Sequence, residues 1–258
     1  MTSSKKIILW FLVLGPFIGL FSLVQLTSMG FFGDLPTFEQ LENPKNNLAT
    51  EVISEDGVVL GKYFFENRSR VRYDELPENL INALIATEDV RFREHSGIDG
   101  RALLRAIFGA VRGKSSSGGA STITQQLAKM LFTDQPSSGI DRVMQKLKEW
   151  VIAAQLEKRY TKDEILSMYL NRFDWVNNAV GIKSAAGVYF NKKPFELDIK
   201  EAAMLVGMLK NPALYNPNRR LELTKGRRNI VLSQMSRYDF ISDSLFDILK
   251  NQPIVLDF

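Results

Sequence analysis

The chain has 258 residues and no cysteine, which excludes disulfides, thiolate catalysis, cysteine-based metal sites and a lipidated N-terminal cysteine. Its single histidine, His95, rules out a multi-histidine metal site, so a catalytic acid or base is expected to be a carboxylate. With 45% hydrophobic residues, 24% charged residues and a formal net charge of +4, the chain can build one or two cored domains. The basic excess suits an anionic partner without choosing among nucleic acid, phospholipid and phosphorylated substrate.

At the N-terminus, Lys5 and Lys6 precede a stretch from Ile7 to Gly33 that carries no charge. About 20 apolar residues span a bilayer as a helix. The flanking lysines predict a cytoplasmic N-terminus with the remainder outside. A cleaved signal peptide is the alternative, but Thr27-Ser28-Met29-Gly30 is a poor cleavage site. Residues 34–48 are polar, contain Pro36 and Pro44, and read as a stalk. Glu55-Asp56-Gly57 then lies between the β-prone runs Thr50–Ser54 and Val58–Leu60, a hairpin signal, with Tyr63-Phe64-Phe65 extending the second strand.

From Pro77 onward the spacing is helical. Leu80, Ile81, Leu84 and Ile85 lead into Glu88, and further helices are expected at about 100–112, 121–132, 141–159 and 223–237. Thr161-Lys162-Asp163-Glu164 is a capping box, and Asp198 with Glu201 marks a similar start. The runs 113–119 and 133–138 are polar loops. The last residues, 253–258, are β-prone.

Three groups could carry chemistry. Glu88 and Asp89 stand between an apolar helix and Phe92. They could be a surface pair, or one could be partly desolvated and so a better base near neutral pH. His95, seven residues beyond Glu88, reads as a brace for the loop that follows. Gly118-Gly119 runs into Ala120-Ser121-Thr122-Ile123-Thr124-Gln125-Gln126-Leu127-Ala128-Lys129. A glycine loop opening a helix offers free N–H groups to an anion, with Ser121 as the N-cap and Thr122, Gln125, Gln126 and Lys129 as a polar face. It is not a nucleotide-binding P-loop, since the required lysine spacing is absent. Lys146 and Glu149 share a helix face with Arg142 just before them, which by itself reads as a surface ion pair. The helix from Lys162 to Asn171 and the segment Arg227–Leu232 read as structural.

In this order the segments resemble the family 51 glycosyltransferases, which comprise the glycan-polymerising domain of class A penicillin-binding proteins and the monofunctional transglycosylases. Glu88-Asp89-x-x-Phe92 with His95 and Gly97 is similar to the family's first motif. Gly119–Gln126 through Lys129 is similar to the second and Lys146-x-x-Glu149 to the third. The helix from Ile165 to Asn171 is similar to the fourth, and Arg227 with Val231-Leu232 to the fifth. The resemblance covers about residues 50–240. Two positions depart from it: Gln145 stands where the family has arginine, and Met130 where it has asparagine.

The resemblance implies a lysozyme-like α fold; with the anchor and hairpin read from the residues, the expected architecture is mainly α with an N-terminal transmembrane helix and a small β-hairpin. The chain then divides into an anchor at 1–33, stalk and hairpin at 34–75, a glycosyltransferase domain at 76–240, and the start of a linker to a C-terminal domain at 241–258. The implied activity joins lipid-linked disaccharide-pentapeptide (lipid II) into β-1,4 glycan strands at the outer face of the cell membrane. It proceeds with inversion and release of undecaprenyl diphosphate, alongside other cell-wall synthesis partners and without nucleic acid. Glu88 is the implied general base and Glu149 the second carboxylate, which organises the diphosphate cations or a divalent ion, Mg or Mn. Asp89, Arg105, Ser121, Thr122, Gln125, Gln126, Lys129, Arg142 and Lys146 are the implied substrate contacts. An apolar patch of Ile107, Phe108, Val111, Leu131 and Phe132 could dip into lipid, or could be ordinary core. Two other functions remain in view: a lytic transglycosylase or muramidase, which has no need of the Lys129 and Lys146 cluster, and an inactive membrane-tethered wall-assembly factor, for which Gln145 and Met130 speak.

Overall fold

The computed structural model describes residues 3–37, 50–53, 59–63, 70–113, 119–132 and 138–258. The expected turn at Glu55-Asp56-Gly57, most of the stalk, Phe64-Phe65 and the centres of both polar loops lie outside the described residues. So do the side chains of Ile107 and Val111.

Helix α1, Ser3–Ser28, is 26 residues long and ends in a turn at Gly30 and Gly33. Among the described residues, no helix is long and apolar enough to cross a membrane. The side chains at 1–9, 11–13, 16, 17 and 20 are outside that description. Where described, α1 is mostly exposed: Trp10, Ile18 and Phe21 are all more than half accessible. Strands β1, Thr50–Ile53, and β2, Val59–Tyr63, pair antiparallel, Thr50 opposite Tyr63, with a register irregularity between Val52 and Ile53.

The body is helical: α2, Glu78–Glu88; α3, Gly100–Val111; α4, Ile123–Phe132; α5, Gly139–Arg159; α6, Lys162–Arg172; α7, Ile182–Phe190; α8, Ile199–Met208; α9, Leu221–Arg237; α10, Asp243–Leu249. Single 3-10 turns stand at Tyr73–Glu75 and Pro194–Glu196. Both capping boxes form: Thr161 accepts from the Glu164 amide and Asp198 from the Glu201 amide, and each glutamate returns to its cap's N–H. Helices α7 and α10 were not among the sequence expectations. The first is short and buried along most of its length, so it shows little helical periodicity; it stops at Asn191, which adopts the left-handed conformation.

The core is built on α2, α8 and α9. Leu80, Leu84, Ala83, Ala202, Ala203, Leu205, Val206, Val231 and Leu232 are fully buried. Around them, α4 packs on α5 and α6, and α1 lies against α5. Trp175, also fully buried, donates its indole N–H to Leu205 O at 2.9 Å, so the loop after α6 is pinned to α8. Gly181, with φ +80°, completes that loop; a Cβ there would stand 2.9 Å from Asn171 O, which closes the position to other residues.

Residues 241–258, expected as the start of a linker, lie against the helical body. Arg228, 1% exposed, donates to the carbonyls of Leu249, Lys250 and Gln252, and so caps α10 from α9. Ile254 and Leu256 pack on the core, and Asp257 N–H donates to Tyr189 O at 3.1 Å. The β-prone run 253–258 forms no strand. The expected lipid-facing patch divides: Phe108 is 60% exposed on α3, whereas Leu131 and Phe132 pack against the core.

Candidate active site

The last turn of α2 delivers Glu88 because the helix buries its apolar face through Ala86 and then ends. Asp89, at the C-cap, leaves helical geometry with φ −161° and ψ 75°. Phe92, fully buried, anchors the next turn, and its N–H donates to Asp89 O at 2.9 Å. Glu88 and Asp89 therefore point into different surroundings.

Asp89 turns inward. Its oxygens lie 3.0 Å from His95 Nε2, and Oδ2 accepts from the Ile123 amide at 3.1 Å. Ile123 is the first residue of α4, so a carboxylate stands on that helix's N-terminus, where the free amides favour negative charge. His95 braces the loop through this pair, as its position suggested. The loop then turns at Gly97, whose φ of +89° only glycine adopts without strain; an added Cβ would meet Ala153 O of α5 at 2.9 Å. Thr122 Oγ1 donates to Gly97 O at 2.6 Å and accepts the Gln125 amide at 3.1 Å. Thr122, rather than Ser121, is thus the N-cap of α4, because the helix opens at Ile123 and the capping side chain must come one residue earlier. Gln125 Nε2 also reaches Gly97 O, at 3.3 Å. Asp89, Thr122 and Gln125, expected on the substrate, are all buried and bonded within the protein.

Ser121, released from capping, accepts from Lys146 Nζ at 2.9 Å. The same ammonium donates to Glu149 Oε2 at 2.7 Å. Glu149 is only 5% exposed, so this is no solvated surface pair. Arg142, Lys146 and Glu149 fall at i, i+4 and i+7 of α5 and share one face. Arg142, Arg105 on α3 and Lys129 in the last turn of α4 are exposed cations at the surface. Gln145, in the place of the expected arginine, is half-buried, and Met130 packs against the core, which suits an apolar residue there. Among the described residues no group of three or more His, Asp or Glu side chains is gathered to hold a metal ion. Glu149 Oε2 faces the Lys146 ammonium.

Glu88 itself is half-buried and takes a hydrogen bond on Oε2 from Gln126 Nε2 at 2.8 Å. Gln126 Oε1 in turn accepts from the Tyr169 hydroxyl at 2.9 Å. Tyr169 comes from α6 and is fully buried; burial, and after it the charge of Glu88, push its hydroxyl well above the usual tyrosine range. Behind this chain, Glu157 Oε1 accepts from Thr124 Oγ1 at 2.5 Å and from Lys162 Nζ at 2.8 Å. Lys162 also donates to His95 O at 2.6 Å and lies 4.3 Å from the Phe92 ring centroid. Tyr169, Glu157 and Lys162 escaped the sequence reading: each sits in a helix that explains it structurally, and no local pattern pairs Tyr169 with Gln126 or Glu157 with Thr124, 43 and 33 residues apart.

The transglycosylase family model matches residues 56–236. Penicillin-binding protein 1A of Vibrio cholerae is 36% identical over 233 residues, covering 89% of this chain and 28% of that protein. The protein of the same name from Escherichia coli is 36% identical over 220 residues, with 85% and 25% covered. That of Aquifex aeolicus is 35% identical over 252 residues, with 98% and 34% covered. The chain thus spans about a quarter to a third of the length of these relatives. The crystal structure of penicillin-binding protein 1A from Haemophilus influenzae aligns over 83% of this chain and 22% of its own, at 23% identity and a TM-score of 0.47. With its motifs in order and a family match over most of its length, the chain belongs to the transglycosylase family, the family 51 peptidoglycan glycosyltransferases.

Proposed function

We propose that this protein polymerises lipid-linked disaccharide-pentapeptide into β-1,4 glycan, with Glu88 as the general base. The acceptor's 4-hydroxyl oxygen attacks the donor's anomeric carbon from the face opposite the leaving group. As the new C–O bond forms, the bond to the lipid diphosphate breaks, the anomeric centre inverts, and the hydroxyl proton passes to Glu88. The observation that carries this reading is the environment of Glu88: a half-buried carboxylate at a helix end, with one oxygen held by Gln126. Such positioning is worth ~10² to 10⁴-fold in rate for a general base.

Negative charge accumulates on the departing diphosphate, and fixed cations stabilise it best. Lys146 is held by Ser121 and Glu149 and needs no reorganisation to meet that charge. Arg105, Lys129 and Arg142 supply further positive charge at the surface. Glu149 positions Lys146. Asp89, Thr122 and Gln125 hold the N-terminus of α4 in place and contact substrate only through it. The phosphate-binding set also separates this reading from strand cleavage, which has no diphosphate to stabilise.

In this reading α1 anchors the enzyme in the cell membrane with the helical body on the outer face, next to its lipid-linked substrate. The uncharged run Ile7–Gly33 and the lysines before it support that topology. The test is incubation with labelled lipid-linked disaccharide-pentapeptide in detergent. Long glycan that a β-1,4-specific muramidase digests is expected; release of fragments from finished peptidoglycan, with no polymer formed, would overturn the proposal.

A further inference from the structure

We infer that Tyr169 is a positioning residue for the reaction, acting through the Gln126 amide to fix which oxygen of Glu88 receives the proton. The inference rests on the reading of Glu88 as the base.

A glutamine amide can be turned either way, and only its partners decide which end faces where. Here one end faces Glu88 and the other faces Tyr169. An ionised carboxylate accepts and cannot donate, so the NH₂ end must face Glu88. The carbonyl end then needs a donor. Tyr169 supplies its single O–H, from a ring with no solvent exposure that is packed beside Phe173 at 6.2 Å between centroids. Glu88 sets which way the amide faces, and the Tyr169 hydroxyl, donating to the carbonyl end, holds it there. Gln126 Nε2 therefore occupies Glu88 Oε2, and among the described residues Oε1 carries no hydrogen bond. That oxygen is the one left to take the acceptor's proton.

Other charged side chains expected at the site are already committed. Asp89 is bonded to His95 and the Ile123 amide, and the Lys146–Glu149 pair is bonded to Ser121. None of them substitutes for the amide. A purely structural Tyr169 would owe the active site nothing beyond its ring, which fills the core between α4 and α6. The hydroxyl is the part in question, and Tyr169→Phe removes it alone.

The experiment measures kcat and KM for polymerisation by the full chain with Tyr169→Phe, Gln126→Met and the double variant, beside Glu88→Gln. Tyr169→Phe is expected to lower kcat on the order of tenfold, the effect of one hydrogen bond to a polar network, with KM unchanged. Gln126→Met is expected to lower kcat at least as much. The double variant should match Gln126→Met, because both changes break one chain of bonds. Unchanged kcat in Gln126→Met overturns the inference, even if Tyr169→Phe does not fold. So does a rise in KM with kcat preserved, or losses that multiply in the double variant. If Glu88→Gln is inactive while both relay variants turn over normally, the relay falls and the base stands. If Glu88→Gln turns over like wild type, the base reading falls.

Discussion

Lys146 Nζ stands 2.7 Å from Glu149 Oε2 across one turn of α5, the lysine side chain 37% exposed and the glutamate 6%. The sequence offered an ordinary i, i+3 surface pair, worth a few tenths of a kcal/mol. Burial of one partner changes its meaning. A desolvated carboxylate holds the ammonium in one place, with Ser121 fixing the second direction. Lys146→Ala is expected to reduce turnover by ~10² to 10³-fold, the loss of one preorganised donor to developing charge. Glycan formation by a variant of normal thermal stability tests this. A loss under about tenfold would remove Lys146 from the diphosphate site.

A second pair bears on stability. Lys162 and Glu157 are 2.8 Å apart, 20% and 5% exposed, and the lysine also serves His95 O and the Phe92 ring. Removing one partner of such a buried pair typically costs ~3 to 5 kcal/mol, since the other charge is left without compensation. Lys162→Met should approach the lower end of that range, because Thr124 still donates to Glu157. Urea denaturation gives the value, and a change below about 1 kcal/mol would show the pair to be solvated.

Gly97 predicts a backbone effect. Alanine there meets both a positive φ and the Ala153 carbonyl at 2.9 Å. The left-handed conformation alone costs a residue with a Cβ about 1 to 2 kcal/mol, and the contact adds to it. Gly97→Ala should therefore unfold at lower temperature and, by shifting α5 against the loop, lower activity. An unchanged melting temperature would contradict the close approach.

Alkaline stability follows from the buried tyrosines. Burial and then the Glu88 charge push the Tyr169 hydroxyl well above its usual range, and burial raises that of Tyr189 to about 12. Both titrate near 10 in the unfolded chain. The folded state holds these protons more tightly, so their contribution is complete below about pH 10 and declines as pH rises through the folded values. Lys192, raised chiefly by its hydrogen bond to Glu201, adds a loss of the same sign. Denaturation free energy should fall between about pH 10 and 12, and Tyr189→Phe should flatten that fall. A flat profile in the parent protein would contradict the assignment.

The helical body was legible because α2, α5, α6 and α9 carry apolar spacing or capping boxes that state their own boundaries. The glycine-led segment before α4 and the carboxylates after α2 pointed to the candidate site for the same reason: both are local patterns. What escaped depends on separation in the chain. Tyr169 reaches Gln126 across 43 residues, and Thr124 reaches Glu157 across 33. In sequence, each is a plausible core or surface residue of its own helix. Ser121 and Thr122 exchange their expected parts for a smaller reason, a one-residue difference in where α4 opens. An amide beside a glycine loop suggests a substrate ligand at Gln126; in the fold that amide bonds to Glu88 and Tyr169.

The measurement closest to the central claim compares polymerisation of labelled lipid-linked disaccharide-pentapeptide by wild type and Glu88→Gln at equal concentration. The substitution keeps size and shape and removes the ability to accept a proton. A loss of ~10² to 10⁴-fold in kcat with substrate binding retained is expected. A variant that forms glycan at the wild-type rate would contradict it.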